Sequence, residues 1–312
     1  MLRHRAAAAL TAVAAALAAC SAPAHDAPSP AAHTLAGTGP GARVPGGDPE
    51  HGTAGGGIAG RAAPGRATSR AASDPTAAST RAAPRPTARA PRIPLPRGPL
   101  VVIDPGHNGG NASHPEIVNR LVPSGFGQVK PCNTTGTATR AGYSEHAYNW
   151  DVALRARAIL AGRGVRVLFT RGSDTGVGPC VNDRAAFGNA HQAAAVVAIH
   201  ADGHVGGSGF HVIEAARLPA GAAVGAASHR LAVAVHDRFR AASGFAPANY
   251  IGSGGYDRRT DLAGLNLSWR PTIFIECGNM FDAGDAARMQ AAAGRQRAAA
   301  AIAAGILAFL GR

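Results

Sequence analysis

The chain has 312 residues, with 31 Lys or Arg against 18 Asp or Glu and a formal net charge of +13 at pH 7. The positive charges are almost all Arg and are spread along the chain without an RNA- or DNA-binding motif. This pattern argues against a nucleic-acid-binding protein and favours a polyanionic cell envelope as the partner. The composition is also too uneven for the whole length to be globular.

Residues 1–20 have the pattern of a signal peptide. Two arginines precede an apolar run over residues 6–16, which is too short to remain as a membrane-spanning helix. The segment ends in "LAAC", which resembles a bacterial lipobox and predicts a lipid anchor on Cys20. Ordinary cleavage after Ala24 is the alternative. The chain is therefore predicted to be exported, either to the outer face of the cytoplasmic membrane as a lipoprotein or into the cell wall.

The next segment, residues 21–97, consists largely of Ala, Pro, Gly, Ser, Thr and Arg and has no hydrophobic period. Such a segment cannot bury enough apolar surface to offset the entropy lost on ordering. We predict a disordered linker that tethers one folded domain over residues 98–312.

From residue 98 onward, short apolar runs rich in β-formers alternate with helical segments. The alternation predicts a single α/β domain of three layers, with a mostly parallel central sheet flanked by helices. The continuous apolar runs suit strands that are covered on both faces. The predicted strands cover residues 100–104, 165–170, 195–200, 210–214 and 272–276. The predicted helices cover residues 145–161, 183–193, 224–242 and 292–310, the first of them capped by Ser144.

Three of the apolar runs end on polar side chains. "VVIDPGH" ends on His107, "AVVAIH" on His200 and "PTIFIE" on Glu276, while Glu145 begins the first long helix. Ligands bind at the carboxyl ends of parallel strands, so we expect these side chains to meet. Two imidazoles and a carboxylate suit a catalytic zinc with a fourth position for water. Each residue alone has a structural explanation, and no compact signature such as HExxH decides which of the four are ligands.

Four other histidines of the domain are weaker candidates, because none of them has a strand-end position. His204 follows His200 in a glycine-rich loop, and His146 is expected to point away from Glu145 on the helix. His114 and His211 have no comparable position, although His114 lies in a connection over residues 108–144 that is long enough to shape a substrate groove. Asp104 is a candidate for fixing the turn or supporting a metal ligand.

Four segments, taken together and in order, resemble the motifs of a known family. They are "VVIDPGHNGG", "SEHAYNWDVALRARAILAGRGVRVLFTR", "DRAAFGNAHQAAAVVAIHADG" and "DLAGLNLSWRPTIFIECGNM". They are similar to the zinc-dependent N-acetylmuramoyl-L-alanine amidases of the Amidase_3 type, and most of all to actinobacterial members.

The resemblance implies a role for each candidate residue. His107, Glu145 and His200 match the ligands of one zinc ion per domain, and Glu276 matches the catalytic glutamate. The implied reaction is hydrolysis of the amide between N-acetylmuramic acid and L-alanine, in peptidoglycan or muropeptide fragments. Arg184 matches a family arginine that we interpret as structural.

One position departs from the family pattern. This chain has Asp202 where the family usually has Asn after His-Ala. The substitution puts a side-chain contact to the substrate at this position in doubt. It does not affect the predicted metal site.

The cysteines fit an exported protein. Cys132 and Cys180 lie in turn-rich loops, and an oxidising compartment would let them form a disulfide. Cys277 lies within an apolar run and is predicted to be a buried core residue.

Two other functions remain open from the sequence. A zinc carboxypeptidase acting on stem peptides would need a basic clamp for a carboxylate, for which Arg258, Arg259 and Arg270 are available. A catalytically silent wall-binding protein of the same fold would be expected to lack one of the four site residues. We expect a monomer whose only membrane contact is a lipid anchor on Cys20. Between residues 201 and 271 we expect no long additional helix that would block the site.

Overall fold

The computed structural model describes residues 98–217 and 219–312, which form an α/β structure of three layers. This agrees with the predicted fold class. The predicted signal peptide and linker, residues 1–20 and 21–97, lie outside the described residues, as does the lipid-anchor position Cys20. Within the described part, the helices are too short or too polar to cross a membrane.

Eight strands form two sheets. The strands are β1 (Leu100–Pro105), β2 (Leu121–Gly125), β3 (Gln128–Pro131), β4 (Arg166–Phe169), β5 (Ala195–Asp202), β6 (His211–Ala215), β7 (Tyr256–Arg259) and β8 (Thr272–Asn279). Six of them form the central sheet in the order β4-β1-β5-β8-β6-β7, and β2 and β3 form a separate antiparallel hairpin.

The central sheet is mostly parallel, with one reversal. β1, β4, β5 and β8 are parallel to one another, whereas β6 runs antiparallel to β8 and β7 runs parallel to β6. Only residues 203–210 connect β5 to β6, and a parallel crossover needs a dozen or more residues. The short connection therefore makes β6 start at the edge where β5 and β8 end.

The helices cover both faces of the sheet. They are α1 (Pro115–Val118), α2 (Glu145–Ala161), α3 (Val181–Ala190), α4 (Ala222–Ala242), α5 (Ala263–Asn266), α6 (Ala283–Gln290) and α7 (Ala292–Phe309). Side chains of α2, α4 and α7 pack with the strands in the main core, and α3 and α5 belong to smaller clusters on the opposite face. Cys277 is fully buried in the main core, as predicted.

Burial alternates along the strands even though the runs are continuously apolar. Val101 and Ile103 of β1 pack in the main core, while Val102 between them packs on the opposite face. The same period of two brings Ala198, His200, Phe274 and Glu276 to the face of α3 and α5. The candidate site is therefore at the carboxyl edge of this face.

The predicted helices and strands agree with the structure to within a few residues at their ends. The first helix begins at Glu145 as predicted, but the hydroxyl of Ser144 makes no capping hydrogen bond. β5 and β8 are each longer than predicted and reach Asp202 and Asn279.

The long connection over residues 108–144 is not a plain loop. It contains a 3₁₀ turn (Asn111–Ser113), α1 and the β2–β3 hairpin. A disulfide joins Cys132, after the hairpin, to Cys180 at the start of α3, as predicted. It fixes the segment that follows Cys132 next to the edge of the central sheet.

Candidate functional site

His107 lies just past the end of β1, in a turn that holds its backbone at φ +59°. This left-handed conformation is uncommon for a residue other than glycine and must be held by its surroundings. The Nδ1 atom of His107 lies 3.1 Å from both the carbonyl oxygen and the hydroxyl of Thr134. These contacts orient the imidazole and direct Nε2 toward Glu145, from which it is 3.1 Å.

Glu145 and His200 complete a cluster of three. Glu145 begins α2, His200 lies in β5, and the Nδ1 atom of His200 is 3.0 Å from Oε1 of Glu145. One ligand atom from each of His107, Glu145 and His200 lies within 4.8 Å of the other two. It is the one cluster of metal-ligating side chains of this kind in the described part of the chain.

The surroundings of Glu145 keep its side chain ionised, as the binding of a cation requires. Burial by itself would raise the pKa of Glu145, but the adjacent His107 and His200 hold it well below its usual range. The main-chain N–H groups of Thr137 and Ala201 also donate to this carboxylate, at 3.0 and 3.2 Å. Glu145 is thus held as an ionised carboxylate between two imidazoles.

Two glycines make room for the cluster. A Cβ atom on Gly106 would lie 2.2 to 2.5 Å from ring atoms of His200. A Cβ atom on Gly136 would lie 2.9 Å from Oε2 of Glu145 and 2.9 Å from Cδ2 of His107. Two nitrogen donors and one carboxylate oxygen, packed this closely, are a donor set that fits a catalytic zinc site.

A buried arginine supports the turn that carries His107. Arg184 of α3 donates to the carboxylate of Asp104 at 2.6 Å and to the carbonyls of Pro105 and His107 at 2.9 and 3.0 Å. Asp104 also accepts a hydrogen bond from Thr170. Burial alone would raise the pKa of Asp104, but Arg184 and Thr170 keep it below its ordinary value. Asp104 therefore fixes the turn through Arg184.

A second buried arginine was not identified from the sequence. Arg171, two residues after the end of β4, donates to the carbonyl of Pro105 at 2.8 Å and to that of His146 at 2.9 Å. His146 binds Asp174 with its Nδ1 atom at 2.9 Å and points away from the cluster, as expected. Arg171 thus links the turn before His107 to the helix that begins with Glu145.

Glu276 lies beside the cluster on the next strand. It is in register with His200 across β5 and β8, and in-register neighbours project on the same face of a sheet. Its Oε2 atom is buried without a hydrogen-bond partner. Burial raises the pKa of Glu276 well above its usual range, and the negative charges of Glu145 and Asp202 raise it further.

Asp202 is engaged in hydrogen bonds within the protein. Its carboxylate accepts from the hydroxyl of Tyr250 at 3.0 Å and from the N–H of Gly203 at 2.7 Å.

Two of the weaker histidine candidates lie outside the cluster. His204 stacks on Tyr250, with ring centroids 4.5 Å apart. His114 pairs with Glu116 in an exposed position.

His211 lies beside the site although it does not end an apolar run. It is 1% exposed and stands opposite Glu276 across β6 and β8. The prediction placed only strand ends at the site. Because β6 runs antiparallel to β8, the start of β6 also lies there. The short connection over residues 203–210 was the signal that could have identified it.

The three candidate clamp arginines do not meet at the cluster. Arg259 forms a two-bond pair with Asp261, at 2.8 and 2.6 Å. Arg270 donates to the carbonyl of Ala193, which precedes β5 and so lies at the opposite edge of the sheet from His200. Arg258 and Arg270 line a cavity of about 440 Å³ that contains none of the cluster residues.

A smaller cavity of about 120 Å³ adjoins the two histidines. Besides His107 and His200, it is lined by residues of the hairpin, α3, α5 and β8, among them Lys130, Ala263 and Phe274. Phe274 also stacks on His200, with ring centroids 5.3 Å apart. The segment over residues 108–144 thus forms a wall of the site, as expected.

Comparisons with known proteins identify the family. The family model described as N-acetylmuramoyl-L-alanine amidase, Amidase_3, matches residues 101–308. N-acetylmuramoyl-L-alanine amidase Rv3717 of Mycobacterium tuberculosis is 45% identical over 214 residues, which is 68% of this chain and 87% of that protein.

Solved structures give the same relationship. The amidase Ami1 of Mycobacterium smegmatis matches with a TM-score of 0.65 and 46% identity, over 69% of this chain and 97% of that one. The apo form of Ami1 from Mycobacterium abscessus matches with the same TM-score and identity, over 68% of this chain and 99% of the other.

Proposed function

The chain belongs to the N-acetylmuramoyl-L-alanine amidase family Amidase_3 and is a hydrolase of that class, and we propose that it cleaves the bond between N-acetylmuramic acid and L-alanine with one bound zinc ion. The single observation that carries the zinc proposal is the convergence of ligand atoms of His107, Glu145 and His200 within 4.8 Å, beside the partly buried Glu276. The substrate would be peptidoglycan or its muropeptide fragments.

His107, Glu145 and His200 would hold the zinc. Their donor set of two imidazole nitrogens and one carboxylate oxygen is one that catalytic zinc sites use, with a fourth position left for water or substrate. When bound, the ion would supply Lewis acidity, polarising the scissile carbonyl and lowering the pKa of water. Thr134 holds the ring of His107, and two backbone N–H groups hold Glu145, so the ligands need little rearrangement.

Glu276 would act as the general base and then as the general acid. Its buried carboxylate has an oxygen without a hydrogen-bond partner and can therefore accept a proton from the attacking water. The same carboxyl group can return that proton to the L-alanine nitrogen as the amide breaks. A zinc ion beside Glu276 would favour the ionised form of its carboxyl group, which is the form that accepts the proton. No Ser or Cys nucleophile is needed.

The two alternative functions have less support. A carboxypeptidase would need a cation free to bind the terminal carboxylate. Arg259 pairs with Asp261, Arg270 lies at the other edge of the sheet, and Lys130, which lines the smaller cavity, donates to the main-chain carbonyl of Asp261. A catalytically silent wall-binding protein would be expected to lack at least one of the four site residues, yet all four are present together with the arginines that support them.

The proposal extends to the organisation of the chain. We infer a signal peptide over residues 1–20 with lipidation of Cys20, a tether over residues 21–97 and the catalytic domain over residues 98–312. The protein would act outside the cytoplasmic membrane as a monomer. Between β5 and β8 the longest described helix is α4, which packs against α7 in the main core on the face away from the site. We therefore expect activity without an activator protein.

Product analysis separates these functions. Purified peptidoglycan is incubated with the zinc-loaded domain over residues 98–312, and the soluble products are analysed by mass spectrometry. Free stem peptides with an N-terminal L-alanine are expected. Stem peptides shortened by one C-terminal residue would indicate the carboxypeptidase instead, and no change in the polymer would support the silent protein.

A further inference from the structure

His211 and Glu276 form a cross-strand pair beside the proposed zinc site. They are in register across the antiparallel strands β6 and β8. Directly opposed residues of such a pair project on the same face, with Cβ atoms about 4.5 to 5.5 Å apart. Because Glu276 is also in register with His200, the row across the sheet runs His200, Glu276, His211. The imidazole of His211 thus flanks Glu276 on the side away from the ligand cluster.

Both members of the pair have a buried polar atom without a partner. Nδ1 of His211 and Oε2 of Glu276 make no hydrogen bond to any described residue. A buried polar atom without a partner destabilises a protein, so such atoms in a native structure usually serve a purpose. The two atoms are chemically complementary, because an imidazole nitrogen can donate and a carboxylate oxygen can only accept.

Burial favours the neutral form of the His211 ring, which can still donate from one nitrogen. Burial lowers the pKa of His211, while Asp202 and Asp257 act to raise it and Arg259 to lower it. A neutral imidazole carries one N–H. The carboxylate of Asp202 is already occupied by the hydroxyl of Tyr250, which leaves Glu276 directly opposite His211 as an open acceptor.

Asp257 is the other open acceptor near His211. One of its carboxylate oxygens is buried without a partner, and the other accepts from the N–H of Arg258. It is in register with Ile213, two residues further along β6, and so does not stand directly opposite His211. The register therefore favours Glu276 as the group that His211 serves.

We propose that His211 is the positioning residue of Glu276, donating from Nδ1 to the glutamate's Oε2 directly or across one water molecule. The hydrogen bond would hold the carboxylate at the angle at which it accepts the proton of the attacking water. The inference rests on the proposed role of Glu276. It assigns His211 no contact with the zinc ion and no contact with the substrate.

Three substitutions of His211 test the proposal in the full domain with zinc bound. His211→Leu removes both ring nitrogens. His211→Asn retains a donor at the position of Nδ1, since its amide nitrogen is the same number of bonds from Cβ. His211→Gln puts its donor at the distance of Nε2. His236→Leu is the matched control, because His236 is equally buried, at 3% exposure, but both of its nitrogens have partners.

The readouts are kcat, KM, zinc content and melting temperature. We expect His211→Leu and His211→Gln to lower kcat about ten- to a hundredfold with KM and zinc content within about twofold of wild type, and His211→Asn to restore kcat to within about threefold. His236→Leu is expected to lower only the melting temperature.

Two results would overturn the proposal. One is a kcat for His211→Leu within twofold of wild type, and the other is a kcat for His211→Asn no higher than for His211→Gln. The second comparison holds even if His211→Leu fails to fold. Glu276→Gln in the same assay separates this inference from the proposed function: if Glu276→Gln stays fully active, the function proposal fails, whatever His211 does.

Discussion

Arg184 donates a 3.0 Å hydrogen bond from Nη2 to the main-chain carbonyl of His107, the residue that begins the proposed zinc site. The same guanidinium binds the carboxylate of Asp104 at 2.6 Å, and both side chains are almost fully buried. Because His107 has a positive φ angle, its conformation depends on contacts of this kind. The ion pair between Arg184 and Asp104 therefore holds the backbone of the first ligand, His107, in place.

Replacement of Arg184 by Met should weaken both folding and metal binding. Loss of one partner leaves Asp104 buried without its cation, which typically costs about 3 to 5 kcal/mol. The loosened turn should lower zinc affinity about 10- to 100-fold. Urea denaturation and competitive zinc titration measure the two effects. Arg155→Met, which breaks a partly exposed pair with Asp151 on α2, should cost less than about 1 kcal/mol and leave zinc affinity unchanged. Equal zinc affinity in both variants would contradict this role of Arg184.

The Asp104–Arg184 pair should also make stability depend on acid pH. The pKa of Asp104 in the folded protein lies below its ordinary value of 3.8. Its ionised form therefore contributes stability that is complete above pH 3.8 and is lost as the pH falls through the lower folded value. Urea denaturation of the metal-free protein between pH 5 and pH 2.5 should show this loss. Asp104→Asn should be less stable at pH 5 and should lose less stability on acidification than wild type. Parallel curves for the two proteins would be the contrary result.

Gly106 should be required for the position of His200. An alanine Cβ at Gly106 would lie 2.2 Å from the nearest ring atom of His200, which is far below van der Waals contact. We expect Gly106→Ala to displace the imidazole and to lower zinc affinity at least about tenfold, the lower end of what loss of ligand support costs. Gly172→Ala is the control, since a Cβ there has no heavy atom within 4 Å. Zinc titration of both variants decides, and wild-type affinity in Gly106→Ala would show that the ring has room to move.

The disulfide between Cys132 and Cys180 should stabilise the domain and the wall of the site. It closes a loop with a sequence separation of 48 residues, which corresponds to roughly 4 kcal/mol in the chain-entropy model. The double variant Cys132→Ser, Cys180→Ser should lose an amount of this order in urea denaturation. Dithiothreitol should destabilise wild type and leave the double variant unchanged. A wild-type protein that is insensitive to the reductant, when mass spectrometry shows the disulfide to be reduced, would contradict this contribution.

The sequence was informative about the site wherever strand direction could be assumed. His107, His200 and Glu276 stand at the ends of apolar runs that form parallel strands, and Glu145 begins the helix between them. Three of these residues lie within 4.8 Å of one another as the carboxyl-edge argument expects. The continuous apolar runs also predicted five strands of the central sheet, and the segments between or after them predicted four of the helices, to within a few residues.

The features that the sequence did not predict depend on tertiary contacts. In the β2–β3 hairpin the apolar Leu121 and Val129 are exposed while Ser124 is buried, so the order of apolar and polar residues does not reveal which face of the hairpin is covered. Arg171 is 1% exposed although arginine is rarely buried, because backbone carbonyls far apart in the chain share its donors. The position of His211 follows from the antiparallel direction of β6, which apolar patterning does not encode.

The most direct test of the proposed mechanism is the turnover of Glu276→Gln at full zinc occupancy. Glutamine keeps the size of the side chain and cannot accept or return a proton, while His107, Glu145 and His200 are unchanged. We expect one zinc ion per domain in wild type and variant alike, and release of stem peptides with N-terminal L-alanine to fall at least about a hundredfold in the variant. Wild-type release by zinc-loaded Glu276→Gln would contradict the account.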